Sequence, residues 1–302
     1  MERITYQGWQ RCYRLTDDLV DLVVTADVGP HVIRFGFVGG ENQFWEDPDL
    51  LGRTGGDQWV NYGGHRLWHA PEVEPRTYAP DNDPVRVDER DGIARFIQPI
   101  EPTTGIQKSL EIRLEPDAAA VQVTHRLRNT NLWPVTLAPW AISVMAPRGT
   151  GILPLPPRGA HAQNLQPNTW LVLWAYTDMQ DPRWTWGTRC VLLRQDRERV
   201  TEQKAGAYVP QGWVAYARAG TLFVTTVTPV PGADYPDLGA NVELFTNSQM
   251  LEVETLGPLV KLEPGGDVSH VETWHLFDGI PQPETEADVL AHVGPLVAPL
   301  IA

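Results

Sequence analysis

The sequence predicts an all-β chain, a large sandwich or barrel of antiparallel strands. Three observations carry that expectation. Runs rich in Val, Ile, Leu, Thr and aromatic residues alternate apolar with polar positions, turn signals separate them at short intervals, and the 27 prolines and 26 glycines are spread along the chain without gathering into a linker. A period of two puts alternate side chains on opposite faces of a sheet, which is how a strand buries one side only. With 302 residues, 42% of them hydrophobic, the chain has ample material for a core.

Taken in order, "LVDLVVTADVGPHVIRFGFVGG" (19–40) gives two β-rich runs broken at Gly29-Pro30 and closed by a glycine pair. "VRVDERDGIARFIQPI" reads as a hairpin turning at Asp91-Gly92. "QKSLEIRLE" and "VQVTHRLRN" follow, joined by a turn at "EPDAA" (115–119). The stretch "PRGTGILPLPPRG" (147–159) reads as a loop, and "PVPGADYPDLG" (229–239) as a second. Between and beyond them lie the runs "TWLVLWAYT", "GTRCVLLRQD", "GWVAYARAGTLFVTTVT" and "MLEVETLGPLVKLEPG". Strands of the same character resume after each loop, so one β domain is expected over 1–280, followed by a tail over 281–302. In "PETEADVLAHVGPLVAPLIA" (283–302), Thr285 is placed to cap a short helix that breaks near Gly294-Pro295. Its Val289, Leu290, Val293, Leu296 and Val297 would pack on the sandwich, or on a second copy in a homodimer.

Composition excludes several functions. A net charge of −14 argues against nucleic acid and against an anionic membrane surface as partners. "MERITYQGWQ" contains no apolar signal region, and no apolar run approaches the ~20 residues of a spanning helix, so a cytoplasmic location is expected. Cys12 and Cys190, far apart, read as small buried hydrophobes. There is no G-x-S-x-G elbow, phosphate loop or dinucleotide fingerprint, and no cofactor is expected. The 12 tryptophans, against 7 Phe and 8 Tyr, suit either a large aromatic core or a surface that stacks on sugar rings.

Four groups of residues could carry chemistry. In "NVELFTNSQMLEVETLGP" (241–258), Glu252 and Glu254 share one strand face and Leu251 and Val253 the other, so the glutamates are expected on the outer face. Side by side they raise the cost of a second charge, which suits one of them to accept a proton; a solvated strand face is the plainer alternative. "GGHRLWHAPE" (63–72) offers Arg66 as a fork of donors, His65 or His69 as a proton carrier and Trp68 as a stacking face, unless it is only a turn tied to Glu72. Two histidines give no metal signature. "AYTDMQDPRWTWG" (175–187) crowds Tyr176, Asp178, Asp181 and Arg183 with two tryptophans, which fits polyhydroxyl recognition or an internally paired loop. Tyr235, Asp237 and Glu243 gather in "DYPDLGANVE" without the pattern of a calcium loop. His125, alternating with Val121, Val123 and Leu127, reads as a core histidine.

The run "LEVETLGPLVKLEPGGDVSHVETWHLF" (251–277), with "GGHRLWHAPE", "DPRWTWG" and "YPDLG", resembles the galactose mutarotase-like proteins, the aldose 1-epimerase superfamily, in a branch without an assigned reaction. The order of elements fits over about 280 residues, but similarity at the level of motifs is confined to the glycine loop and the C-terminal run. The resemblance implies an antiparallel β-supersandwich with a short C-terminal helix and a small-molecule carbohydrate as partner. It implies Glu254 as the general base and Arg66 as a sugar-binding cation. It also exposes a departure. Relatives place an acid histidine in the segment that here reads "NTNLWPVTLAPWAISVM" (129–145), where Trp140 stands instead. Two expectations follow: an epimerase-like isomerase with His65 or His69 as substitute acid and Trp68 or Trp140 as platform, or a carbohydrate-binding protein that has lost catalysis.

Overall fold

The computed structural model describes residues 1–301. Two antiparallel sheets, of 11 and 10 strands, pack face to face. The larger runs from Glu2–Tyr6 at one edge through His65–Ala70, Val135–Met145, Leu251–Leu256, Val242–Thr246 and Gln203–Ala207 to Leu171–Leu173 at the other. The second places Asp267–Asp278 and Ala120–Asn129 side by side at its centre. The alternation that predicts strands also decides their faces. Leu251 and Val253 enter the inter-sheet core with Leu67, Phe35, Val123, Phe223 and Trp274, which turns Glu252 and Glu254 to the opposite side. The expected hairpin forms between Arg86–Arg90 and Ile93–Ile97, with Asp91 and Gly92 both at positive φ. Both cysteines are free and buried.

Two local expectations are corrected. "GGHRLWHAPE" is neither loop nor turn: His65–Ala70 is an interior strand, buried along its whole length. Its glycines serve strand entry. Gly63 and Gly64 sit at φ +86° and +69°, where a Cβ would lie 2.2 Å from the Trp45 carbonyl oxygen and 2.4 Å from that of Val32. "PRGTGILPLPPRG" is also not all loop, since Thr150–Pro154 is a buried strand between Cys190–Arg194 and Trp213–Arg218. Its prolines hide a short apolar run that lies between two partner strands.

At the C-terminus Thr285 and Asp288 form a reciprocal capping box, as the sequence suggests. Gly294-Pro295 does not break the helix. A five-residue π turn over Val289–Val293 leads into Gly294–Val297, and proline in a first turn needs no N–H partner. Val289, Val293 and Val297 pack on Ile152, Cys190 and Leu192 on the outer face of the smaller sheet, while Leu290 stays 46% exposed. No helix of the described residues is long and apolar enough to cross a membrane.

Candidate functional site

On the outer face of the larger sheet, strand register assembles a cavity. Glu254 lies opposite Ile142 and Glu243, Ile142 opposite Arg66, and Trp140 opposite both Trp68 and Leu256. One step along, Glu252 pairs with Phe245 and Phe245 with Lys204. Four strands, with Val242–Thr246 between two of them, thus bring Arg66, Trp68, Trp140, Lys204, Glu252 and Glu254 together from four separate parts of the sequence. The result is a cavity of about 460 Å³ whose lining includes Trp59, Trp68, Trp140, Tyr176, Arg66, Lys204 and Glu252.

Two ion-paired groups form its floor. The Arg66 guanidinium donates from Nη2 to Glu252 Oε1 at 3.0 Å and stacks over Trp68, 4.6 Å from the ring centroid. Lys204 Nζ lies 2.8 Å from Glu243 Oε2 and 2.9 Å from Glu254 Oε2, and 4.7 Å from the ring centroids of Trp140 and Trp174. Trp140 Nε1 donates to the same Glu254 oxygen at 2.8 Å. Burial, reinforced by the Glu254 charge, holds the Glu252 carboxyl above the usual carboxylate range against the pull of Arg66. For Lys204 burial works against the charge, but Glu243 and Glu254 outweigh it and hold the ammonium well above the usual lysine range. Burial likewise raises Glu243 well above the usual range, and Lys204 only partly opposes it.

Several polar atoms around this floor have no partner. Glu254 Oε1, Arg66 Nε and the indole Nε1 atoms of Trp59 and Trp68 are buried without a hydrogen bond. Glu254 is fully buried, one layer below the cavity wall that Trp140 and Lys204 form; of the two strand glutamates Glu252, 8% exposed, reaches the lining.

The expected acids lie elsewhere. His65 and His69 alternate with Arg66 and Trp68 along one strand and therefore face the inter-sheet core, behind the sheet that carries the cavity. His65 Nδ1 meets Ser143 Oγ at 2.9 Å and its Nε2 meets His125 Nε2 at 2.6 Å. Burial, then the neighbouring cationic groups, press its pKa well below the ordinary value. His69 faces Glu101 at 3.7 Å, and burial lowers its pKa too. Neither histidine can hand a proton to a ligand in the cavity.

Of "AYTDMQDPRWTWG" only Tyr176 reaches the lining. Arg183 is fully buried and bound to both Asp181 oxygens and to the Thr201 carbonyl, the internally paired loop that was the alternative. Asp178 is exposed and accepts from the Gln180 N–H in a turn. Asp237 is half-buried near Glu243 and is not part of the lining, and burial raises its carboxyl pKa. His125 is the core histidine its strand pattern predicts. Sequence reasoning misses Lys204, because a lysine in "EQKAGA" belongs to no motif; Trp59, Glu72 and Tyr78 reach the wall from irregular segments. The one available signal for Lys204 is a lone charge inside a run of small residues.

A larger groove of about 710 Å³ crosses the outer face of the smaller sheet. Its Arg95 and Arg126 are paired with Glu111 and Asp267, and it has no aromatic wall, so it offers less chemistry than the cavity.

No protein-family model matches the sequence, and no curated protein matches it. Solved structures do. A TPR-domain containing protein from Parabacteroides distasonis superposes with a TM-score of 0.58 at 16% identity; the match covers 91% of this chain and 49% of that one, about half its length. A galactose mutarotase-like protein from Lactobacillus casei gives 0.55 at 9% identity, covering 88% of this chain and 100% of the other. One from Clostridium acetobutylicum gives 0.54 at 10%, covering 92% and 98%. At such identities the likeness speaks for the fold. The chain has the galactose mutarotase-like fold, an antiparallel β-supersandwich closed by a short C-terminal helix.

Proposed function

We propose that the cavity binds a carbohydrate. Trp68, Trp140 and Tyr176 would lie against the C–H faces of a sugar, while Arg66, Lys204 and Glu252 take its hydroxyls. The observation that carries this reading is the set of unpartnered buried atoms on the lining residues, Arg66 Nε and the indole N–H groups of Trp59 and Trp68, set among aromatic rings. Leaving such groups unpaired costs about 1–3 kcal/mol each, and a ligand rich in both donors and acceptors would relieve that cost.

A second reading, an aldose 1-epimerase-like isomerase, is favoured by the presence of both a carboxylate, Glu252, and an ammonium, Lys204, in the lining of one cavity. Ring opening needs one group to take the anomeric hydroxyl proton and another to give a proton to the ring oxygen. With Glu254 already bound by Lys204 and Trp140, Glu252 is the acceptor in this reading and Lys204 the donor.

The test is anomeric exchange by NMR across a panel of aldoses and uronic acids, together with tryptophan fluorescence titration. Binding predicts quenching by at least one sugar, weakened about 5- to 100-fold in Arg66→Ala, as for loss of one charge-assisted hydrogen bond. Isomerase activity predicts faster exchange that disappears in Glu252→Gln while quenching persists. If no sugar changes the fluorescence at millimolar concentration, both readings fail.

A further inference from the structure

His65, His125 and Glu272 form a cluster of ligating groups that the cavity does not use. They lie in the core between the sheets. His65 comes from the larger sheet, and His125 and Glu272 from adjacent strands of the smaller one, so the cluster bridges the two layers. The histidines are fully buried and Glu272 is 2% exposed.

Their spacing is specific. The two Nε2 atoms are 2.6 Å apart, and each lies 3.8 Å from Glu272 Oε2. Three atoms so placed share a centre, in their own plane, about 2.0 Å from each, the distance at which Zn²⁺ holds imidazole nitrogen and carboxylate oxygen; a tetrahedral ion would spread the two nitrogens from 2.6 Å to about 3.3 Å.

The outer partners fit the same role. His125 Nδ1 lies 3.0 Å from the His270 carbonyl, which can only accept, so Nδ1 carries the proton and Nε2 presents its lone pair inward. Ser143 Oγ can accept in the same way from His65 Nδ1. The Thr255 hydroxyl donates to Glu272 Oε1, and Trp274 Nε1 donates to Oε2 at 2.8 Å, which fixes the carboxylate. Such second partners are what orient metal ligands. Among the described residues no lysine or arginine pairs with Glu272, and a carboxylate buried without a cation is costly.

We propose that His65, His125 and Glu272 bind a divalent transition metal of the zinc class, as a structural tie between the two sheets. The nitrogen and oxygen donors suit that class better than magnesium or calcium. With all three ligands sealed in the core, the ion is taken up as the chain folds, and its binding energy becomes folding energy. The site is independent of any sugar in the cavity.

The experiment has three arms. Protein from zinc-supplemented cells is dialysed against chelator while folded and its metal measured by elemental analysis. A second sample is unfolded in guanidinium with chelator, then refolded with or without a molar equivalent of Co²⁺. The third repeats the refolding with Glu272→Gln, its fold checked by circular dichroism. The proposal expects a stoichiometric metal that resists chelator until unfolding, visible d–d bands from refolded Co²⁺ protein, and a higher unfolding midpoint with metal than without. It expects Glu272→Gln to lose the bands; should that variant not fold, the two wild-type arms decide. Metal well below stoichiometric, no d–d bands and an unchanged midpoint would overturn it, leaving the histidines and Glu272 as a cluster that shares protons. Retained bands in folded Glu272→Gln would also count against it, by removing the carboxylate from the ligand set.

Discussion

Lys204 is the residue on which the electrostatics of the cavity turn, because it alone bridges Glu243 and Glu254. Removing one partner of a buried ion pair leaves the other charge uncompensated, and Lys204→Met is expected to lower stability by about 3–5 kcal/mol. Adding Glu243→Gln to Lys204→Met should restore part of the loss. Denaturant unfolding of the single and double variants measures this, and equal losses in both would show that the carboxylates do not depend on the lysine. Trp140 belongs to the same group. Its indole donates to Glu254 and faces the ammonium, so Trp140→Phe should keep most of the stacking surface while freeing a Glu254 oxygen. Of these residues the glutamates and Trp140 are legible in the sequence, the first through strand period and the second through resemblance. Lys204 is not, because its partners are about 40 and 50 residues away and only sheet pairing brings them near.

At the scale of elements, the His65–Ala70 strand shows how one segment serves two sites. Odd positions supply His65 and His69 to the core, and even positions supply Arg66 and Trp68 to the cavity. The histidine and arginine side chains that crowd "GGHRLWHAPE" are thus separated by the sheet itself. Its entry depends on Gly64, whose φ of +69° and contact with the Val32 backbone leave no room for a side chain. Gly39→Ala, at φ +73° with nothing nearby, is expected to cost only the about 1–3 kcal/mol of its backbone conformation, whereas Gly64→Ala adds the clash with the Val32 backbone and should lower the thermal midpoint further. The C-terminal helix is held by its cap and its three valines, and Thr285→Ala should cost about 1 kcal/mol. No change in the unfolding midpoint would show that the valines and the bonds from Thr188 and Arg189 to Glu286 hold it without the cap.

Across the whole molecule, buried polar groups tie the two sheets together as well as the apolar core does. One tie is the His65, His125 and Glu272 cluster. Another joins His69 of the larger sheet to Glu101, whose Oε1 lies 2.6 Å from Lys108 Nζ in the smaller sheet. Burial alone would raise the Glu101 carboxyl, but Lys108 and His69 outweigh it and bring the pKa from 4.5 to about 2. A depressed carboxylate stabilises the fold above its unfolded pKa and loses that contribution as pH falls through the folded one. Stability should therefore decline as pH drops from 4.5 towards 2, by up to about 3 kcal/mol from this group. Unfolding curves across that range test it, and Glu101→Gln with Lys108→Met should flatten the decline.

The sequence by itself determined the class of fold, most strand runs, the common face of Glu252 and Glu254, the helix cap at Thr285 and the burial of both cysteines. These are local properties, set by side-chain period, turn chemistry and capping within a few residues. It could not decide which strands are neighbours, since antiparallel pairing joins segments as far apart as Arg66, Ile142 and Glu254. Only the tertiary structure placed Lys204 beneath Trp140, moved Arg183 from ligand to loop, and put His65 and His69 behind the sheet. The physical reason is that strand period says which residues share a face, while what each face meets is settled by the order of the strands.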